Sequence, residues 1–244
     1  MLRIGTASWS IPRDFGRDAA PSGSRLERYA ARFTCVEINS SFYKPHRRST
    51  YERWAASVPP GFSFSVKVPK AVTHERRLIA CSDELDRFGD EIAGLGDKLG
   101  PILLQMPPSL AFDEGSITFL DALRARFTGP IVCEPRHRSW LAPDADDALR
   151  AHAIARVAAD PAISASAAVP GGSGALVYVR LHGAPRTYWS GYDEAGLHRW
   201  LRVAQTAVRP CDRWIVFDNT AAGAAWSNAQ RMMNLATGSV PDRA

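Results

Sequence analysis

No apolar run in this sequence approaches the roughly 18 residues of a membrane-spanning helix, so no spanning helix is expected. Cysteine is scarce. Cys35, Cys81, Cys133 and Cys211 stand far apart with no C-x-x-C pair, which disfavours zinc ribbons and disulfide frameworks and leaves them reading as small buried apolar residues. Also missing are a Walker A loop, a G-x-G-x-x-G after a strand and a G-x-S-x-G elbow. Nucleotide-driven motors, Rossmann oxidoreductases and α/β-hydrolases are disfavoured accordingly. No leader of the secretory type precedes the strand-like run that begins at Met1, so a cytoplasmic location is expected. Oligomeric state has no signature in the sequence.

What is present is a chain of 244 residues, 45% apolar, with a net charge of +5 that mildly favours anionic partners. Eight short apolar runs read as strands: Leu2–Ala7, Cys35–Asn39, Phe62–Val68, Ile102–Met106, Ile131–Glu134, Ala155–Ala159, Leu176–Leu181 and Trp214–Phe217. Helical patterns fall between them at Arg25–Phe33, Tyr51–Ser57, Asp83–Lys98, Ile117–Phe127, Ala145–His152, Glu194–Ala207 and Ala224–Leu235. This alternation predicts an α/β fold with parallel strands, and eight strands in this length fit a single TIM-like (β/α)8 barrel over residues 1–236. The rhythm breaks after the sixth strand, where the small, Gly-rich stretch Ser164–Gly174 replaces a helix. It is expected to be a mobile loop, either a lid on the catalytic face or a plain linker. Residues 237–244 read as a disordered C-terminal tail.

Several of these strands run into polar side chains at their far ends: Leu104 into Gln105, Cys133 into Glu134, and Val179 into Arg180 and then His182. In a parallel barrel that end is where active sites are built. Side chains alternate faces along a strand, so Glu37 and Asn39, Ser65 and Lys67, Glu134 and Arg136, and Tyr178, Arg180 and His182 each share a face. Pointing these faces inward avoids leaving Glu37 as a costly unpaired carboxylate beneath a helix. The expected inner set is then Glu37, Lys67, Glu134, Arg136, Asp160, Arg180 and His182. Such a set either locks the barrel as a neutral network or performs acid/base chemistry, with His182 suited to proton transfer near neutral pH.

The loops after the strands carry KPHRRS (Lys44–Ser49), THERR (Thr73–Arg77) and RHRSW (Arg136–Trp140), with Trp9, Phe42, Tyr43, Trp140, Tyr188, Trp189 and Tyr192 in or near the same loops. Basic groups interleaved with stacking surfaces suit phosphate-bearing ligands, including single-stranded or flipped nucleotides. An ordinary solvated basic surface gives the same pattern, and Lys98, Arg124, Arg126, Arg209 and Arg213 at the opposite end weaken the asymmetry. A divalent metal on Glu37, Glu134, Asp160 and His182 is a further reading, opposed by three neighbouring cations and by the lack of any ligand spacing motif. No metal or other cofactor is assigned.

The segments IGTASW (Ile4–Trp9), VEINSSFY (Val36–Tyr43), KLGPILLQMPPS (Lys98–Ser109), EPRHRSW (Glu134–Trp140) and YVRLHG (Tyr178–Gly183), in this order, resemble the YecE-like family, catalogued as domain of unknown function 72. The resemblance runs from about Ile4 to Leu235 and implies a TIM-like barrel but no accepted reaction. Position by position it singles out Glu37, Asn39, Tyr43, Lys67, His74, Gln105, Glu134, Arg136, His137, Trp140, Asp160, Arg180, His182 and Asn219. Two departures stand out. Ile11–Gly23 keeps only Phe15 and Gly16 of the family's aromatic and glycine-containing stretch, and Pro135 replaces an aromatic in the fifth-strand motif.

The combined expectation is an enzyme, one candidate class being hydrolases, acting on a phosphate-bearing substrate that could be nucleic acid. Glu37, Lys67, Glu134, Asp160 and His182 would carry the chemistry. Asn39, Tyr43, His74, Gln105, Arg136, His137, Trp140, Arg180 and Asn219 would bind substrate. The alternatives are a non-catalytic nucleic-acid-binding protein and a metal-dependent hydrolase or isomerase.

Overall fold

A computed structural model of the chain describes residues 1–15, 22–206 and 211–238. Gly16, Ala207, Arg209 and the tail from 239 to 244 lie outside the described residues. The described residues form ten strands and eight α-helices. The strands are β1 (Leu2–Thr6), β2 (Cys35–Ile38), β3 (Ser63–Lys67), β4 (Leu99–Gln105), β5 (Ile131–Glu134), β6 (Ile154–Arg156), β7 (Ala158–Asp160), β8 (Gly171–Gly172), β9 (Leu176–Leu181) and β10 (Asp212–Phe217). The helices are α1 (Arg25–Ala30), α2 (Ser40–Tyr43), α3 (Arg48–Ala56), α4 (Ser82–Ile92), α5 (Glu114–Arg126), α6 (Pro143–Ala151), α7 (Glu194–Gln205) and α8 (Ala224–Thr237). No helix among the described residues is long and apolar enough to cross a membrane.

The strands form two sheets, ordered β1-β10-β9-β7 and β2-β3-β4-β5-β6-β8. Every named pairing is parallel except the two-residue β8, which runs antiparallel to β6. The fold is therefore mixed α/β with parallel sheets, and the expected continuous sixth strand is split. Its first half, β6, pairs with β5, and its second half, β7, pairs with β9, with Val157 between them donating to the Cys133 carbonyl at 2.8 Å. Beside β1, the second sheet begins with a lone parallel bridge between Ala7 and Glu37. Gly5 permits that approach, because a Cβ there would collide with the Cys35 carbonyl.

Burial follows the two periodicities. Helix faces and outward strand residues make one large apolar cluster, while Cys35, Leu103, Val132, Ala155, Val157, Tyr178, Trp214 and Val216 make a second from strand residues alone. Local signals set the helix starts: Ser24 and Glu27 form a capping box on α1, Asp113 caps α5, and Pro143 opens α6. The predicted helix Asp83–Lys98 is α4 followed by a 3-10 segment, Ala93–Lys98, which turns at Gly96 with a φ of 55°.

No α-helix lies between β7 and β9 among the described residues, as the composition of 164–174 suggested. Side chains nevertheless hold the segment in place, and its 3-10 turn Ala165–Ala168 packs on β7. Arg156 donates to the Ser166 carbonyl at 2.7 Å, and the Asp146 carboxylate accepts from Arg156 Nε and from the Gly172 amide, both at 2.9 Å. Those contacts tie the segment to α6 and to the start of the sixth strand. Gly171 is required there, since a Cβ would collide with the Arg156 guanidinium.

Candidate functional site

Arg180, on the face of β9 shared with Tyr178, is the centre around which the polar strand ends assemble. It is fully buried, as are Glu37 and Glu134. Its Nε donates to both Glu37 oxygens (3.1 and 3.0 Å) and its Nη2 to Glu37 Oε1 at 2.7 Å. The same Nη2 reaches Asp218 Oδ2 at 3.0 Å, while Nη1 donates to Glu134 Oε2 at 3.0 Å and to Gln105 Oε1 at 3.2 Å. One guanidinium thus holds carboxylates from β2, β5 and the end of β10, so it binds the two sheets to each other. Below it, the Tyr178 hydroxyl donates to Glu37 Oε2 at 2.8 Å and lies 3.0 Å from Ser65 Oγ. Burial, and then the Glu37 charge, push the Tyr178 phenol far above its usual range, so it stays a donor.

His182 sits above this centre between two acids. Its Nε2 is 2.9 Å from Glu134 Oε1 and its Nδ1 is 3.0 Å from Asp218 Oδ2, the latter out of line for a good hydrogen bond. Arg136 Nη2 also approaches His182 Nε2, at 2.6 Å, and pairs with Glu134. A guanidinium N–H can only donate, so when Arg136 donates to Nε2 the imidazole carries its proton on Nδ1, towards Asp218. With the proton on Nε2 instead, His182 donates to Glu134. The two arrangements of the Asp218–His182–Glu134 row are tautomers that differ only in which ring nitrogen carries the proton, and each nitrogen faces a carboxylate.

Electrostatics keep that row's ends ionised. Burial opposes the charge on Glu134, but Arg136, His182 and Arg180 outweigh it and hold the carboxyl well below the usual range. Asp218 is likewise lowered: burial raises it, and Arg180 and His182 more than compensate. Tyr188 closes the row from outside, its ring edge-on to His182 at 5.7 Å and its backbone held at a φ of 69°, a strained value for an aromatic residue.

Lys67 differs from the other cations. It is buried at the end of β3, with its Nζ 4.0 Å from the centre of the Phe42 ring and no carboxylate within salt-bridge distance among the described residues. Burial and the Arg180 charge lower its ammonium to about 8, against the pull of Glu37, Glu134 and Asp218. His74 stands edge-on to the same Phe42 ring at 5.0 Å, and burial, followed by the Lys67 charge, lowers its imidazole too.

Inward parity thus brings together Glu37, Lys67, Glu134, Arg136, Arg180 and His182, with Asn39 and Gln105 beside them. Asn39 Nδ2 donates to Asp218 Oδ1 at 3.4 Å. Asp160 stands apart. Strand residues 155, 157 and 159 face inward, so position 160 faces out, where the Asp160 carboxylate and burial raise the Tyr192 phenol. Asn219 likewise falls on the outward face, donating to the Ser190 carbonyl at 2.9 Å and to Asn228 Oδ1 at 3.0 Å. Trp140 is fully buried, with its Nε1 donating to the Leu110 carbonyl at 3.0 Å, and His137 Nδ1 is engaged by Ser139. Tyr43 is 72% exposed against Phe42.

These positions correct two substrate-binding expectations, because Trp140 and His137 hold loops in place, while Asn219 ties loops through its Nδ2 and keeps a buried Oδ1 without a partner. They also correct Arg180 as an anion binder, since its donors are spent on protein carboxylates. Asn219→Ala is expected to cost roughly 1–3 kcal/mol in a denaturant melt, the cost of leaving buried partners unsatisfied.

Asp218 is the residue that sequence reasoning missed. Trp214 and Val216 pair in register with Tyr178 and Arg180, so the alternation that placed Arg180 inward extends to position 218. The metal reading loses its geometry as well: Asp160 is absent from the cluster, and the Arg180 guanidinium fills the centre that a cation would occupy. A cavity of about 620 Å³ lies at the opposite strand ends around Gly100 and Gly129. A cavity of about 170 Å³ lined by Ser8, Trp9, Ser10, Arg25, Asn39 and Ser40 adjoins the site through Asn39.

A family model described as "Protein of unknown function DUF72" matches residues 3–243. The UPF0759 protein YunF of Bacillus subtilis (strain 168) is 24% identical over 267 residues, covering 96% of this chain and 94% of YunF. The UPF0759 protein YecE of Escherichia coli (strain K12) is 31% identical over 144 residues, 58% of this chain and 51% of YecE. Among solved structures, a DUF72 family protein from Enterococcus faecalis V583 superimposes with a TM-score of 0.82 at 20% identity, covering 97% of this chain and 96% of that one. Another from Thermotoga maritima MSB8 gives 0.80 at 24% identity, covering 97% and 99%. At these identities the structural likeness speaks for the fold.

Proposed function

We infer that this chain, which belongs to the DUF72 family of proteins of unknown function, is an enzyme that holds a small anionic substrate and moves protons along Asp218, His182 and Glu134. On this reading the two sheets act as one barrel and the site is its C-terminal mouth. The two-part sixth strand, which bonds β5 on one side and β9 on the other, and the Ala7–Glu37 bridge both support that closure. Phosphate and carboxylate groups are the natural ligands.

The observation that carries the reading is Lys67. Among the described residues it is the buried cation that no carboxylate neutralises, while Arg180 and Arg156 are each spent on acids. Arg136 adds a second donor, because its Nε is buried without a partner. A ligand oxygen would satisfy both groups, at a point beside the His182–Glu134 pair.

Calorimetric titration with inorganic phosphate tests this. Binding is expected to weaken as pH rises through about 8, where Lys67 gives up its proton, and Lys67→Met should weaken it by roughly tenfold or more. Equal affinity in wild type and Lys67→Met across that range would overturn the reading.

One observation favours a nucleic-acid ligand at the rim: Tyr43, Tyr188 and Trp189 are 72%, 46% and 46% exposed and offer stacking faces. The basic loops support it less, because Arg48 pairs with Glu52, Arg76 with Glu84, and Arg77 bonds Ser109. Affinity for single-stranded oligonucleotides that falls steeply with salt would favour that reading.

A further inference from the structure

We propose that Lys67 is a nucleophilic amine that forms an imine with the carbonyl group of an anionic aldehyde or keto acid. This rests on the site reading above and deepens it by naming the substrate class. Three geometric facts support it. The amine sits at the end of β3 with its backbone pinned, since the Lys67 carbonyl accepts from Ser41 Oγ at 2.6 Å. Its Nζ rests on the Phe42 ring rather than on a carboxylate, so no ion pair has to be broken before the nitrogen lone pair is exposed. The third is His74, which stands edge-on to the same ring; on the site reading above, Arg136, whose buried Nε has no partner, takes the substrate's anionic group.

The chemistry balances with these groups. The neutral amine adds to the carbonyl carbon, and its surplus proton passes to the former carbonyl oxygen, giving a carbinolamine. A proton from solvent, relayed by the His74 imidazole on the Phe42 side, converts that hydroxyl to water, which leaves as the nitrogen lone pair closes the C=N bond. The nitrogen keeps its remaining hydrogen, so the product of this step is already the protonated iminium. Burial supplies the neutral amine: with an ammonium near 8, Lys67 is unprotonated at pH 7 roughly a hundredfold more often than a solvent-exposed lysine. The resulting iminium withdraws electrons from the adjacent carbon, and a proton leaving that carbon has the His182–Glu134 pair to receive it.

Reductive trapping of the full chain tests the proposal. Glyoxylate is supplied as the probe at pH 7 with cyanoborohydride, and each lysine is mapped by peptide mass spectrometry for a carboxymethyl increment. Lys67 is expected to be labelled roughly a hundredfold faster than the exposed Lys44 and Lys70, at a rate that climbs up to about pH 8 and is reduced by inorganic phosphate. Labelling that leaves Lys67 no faster than Lys44 and Lys70 would overturn it.

Lys67→Arg keeps the cation and removes the nucleophile, so it separates this proposal from the reading beneath it. Phosphate binding retained with site trapping abolished is the expected result. If wild-type protein binds phosphate at Lys67 but is not trapped there, the imine fails and the anion site stands. If it is trapped at Lys67 but binds no phosphate, the imine stands and the anion site fails.

Discussion

Arg180→Met is expected to remove most or all of the folded population at neutral pH. The guanidinium bonds Glu37, Glu134 and Asp218 and is fully buried, and breaking a single buried pair already costs roughly 3–5 kcal/mol. That loss is comparable with the whole margin of a typical domain, about 5–15 kcal/mol. The pH dependence identifies the cause. In the wild type the folded pKa values of Glu134 and Asp218 are depressed, so their contribution is present above the unfolded values and is lost as pH falls through the folded ones. Without Arg180 those carboxyls are pushed up instead, and whatever stability remains should be greatest in acid. The gap between wild type and variant, read from urea melts, should therefore narrow from pH 7 to pH 4. A constant gap would mean that the arginine contributes by packing its stem and not by neutralising the acids.

This hub explains why so much of the site was legible in the sequence. Alternation along β2, β5 and β9 is enforced by an inner apolar cluster. Once Cys35, Val132 and Tyr178 are buried inward, Glu37, Glu134 and Arg180 must follow two residues later. The same rule, carried on to β10, gives Asp218, and applied strictly to the sixth strand it excludes Asp160. Those two errors came from not following parity to the end of a strand. Others have a different origin. Trp140 and Asn219 lie close in sequence to site residues, yet their partners, Leu110 and Asn228, come from other segments, so only the folded chain shows where the Trp140 Nε1 and the Asn219 Nδ2 are engaged. The split of the sixth strand was equally hidden, because Val157 is as apolar as its neighbours and only hydrogen-bond partners reveal the change of sheet.

A buried network can exist to hold two sheets together, and a network that only holds should contain no member whose charge is a net cost. Lys67 is such a member. Its folded pKa, about 8, is below its ordinary value of 10.5, so the folded state prefers the neutral amine and is penalised for carrying the proton. Between those values the unfolded chain binds the proton and the folded chain does not, and stability must therefore rise with pH across that window. Below about pH 8 the whole penalty applies, at most about 3 kcal/mol for a shift of this size. Methionine at position 67 would keep most of the stem's volume over the Phe42 ring and remove the charge. Lys67→Met is accordingly expected to be more stable than wild type at pH 7, with a higher Tm, and the advantage should shrink as pH rises above 8 and vanish above 10.5. In the same protein, phosphate affinity and glyoxylate trapping should be lost. A variant that gains stability while losing ligand chemistry would mark Lys67 as a residue kept for function at the expense of the fold. A lower Tm for Lys67→Met at pH 7 would assign Lys67 instead to balancing Glu37, Glu134 and Asp218, and the charged strand ends would then be read as a structural lock.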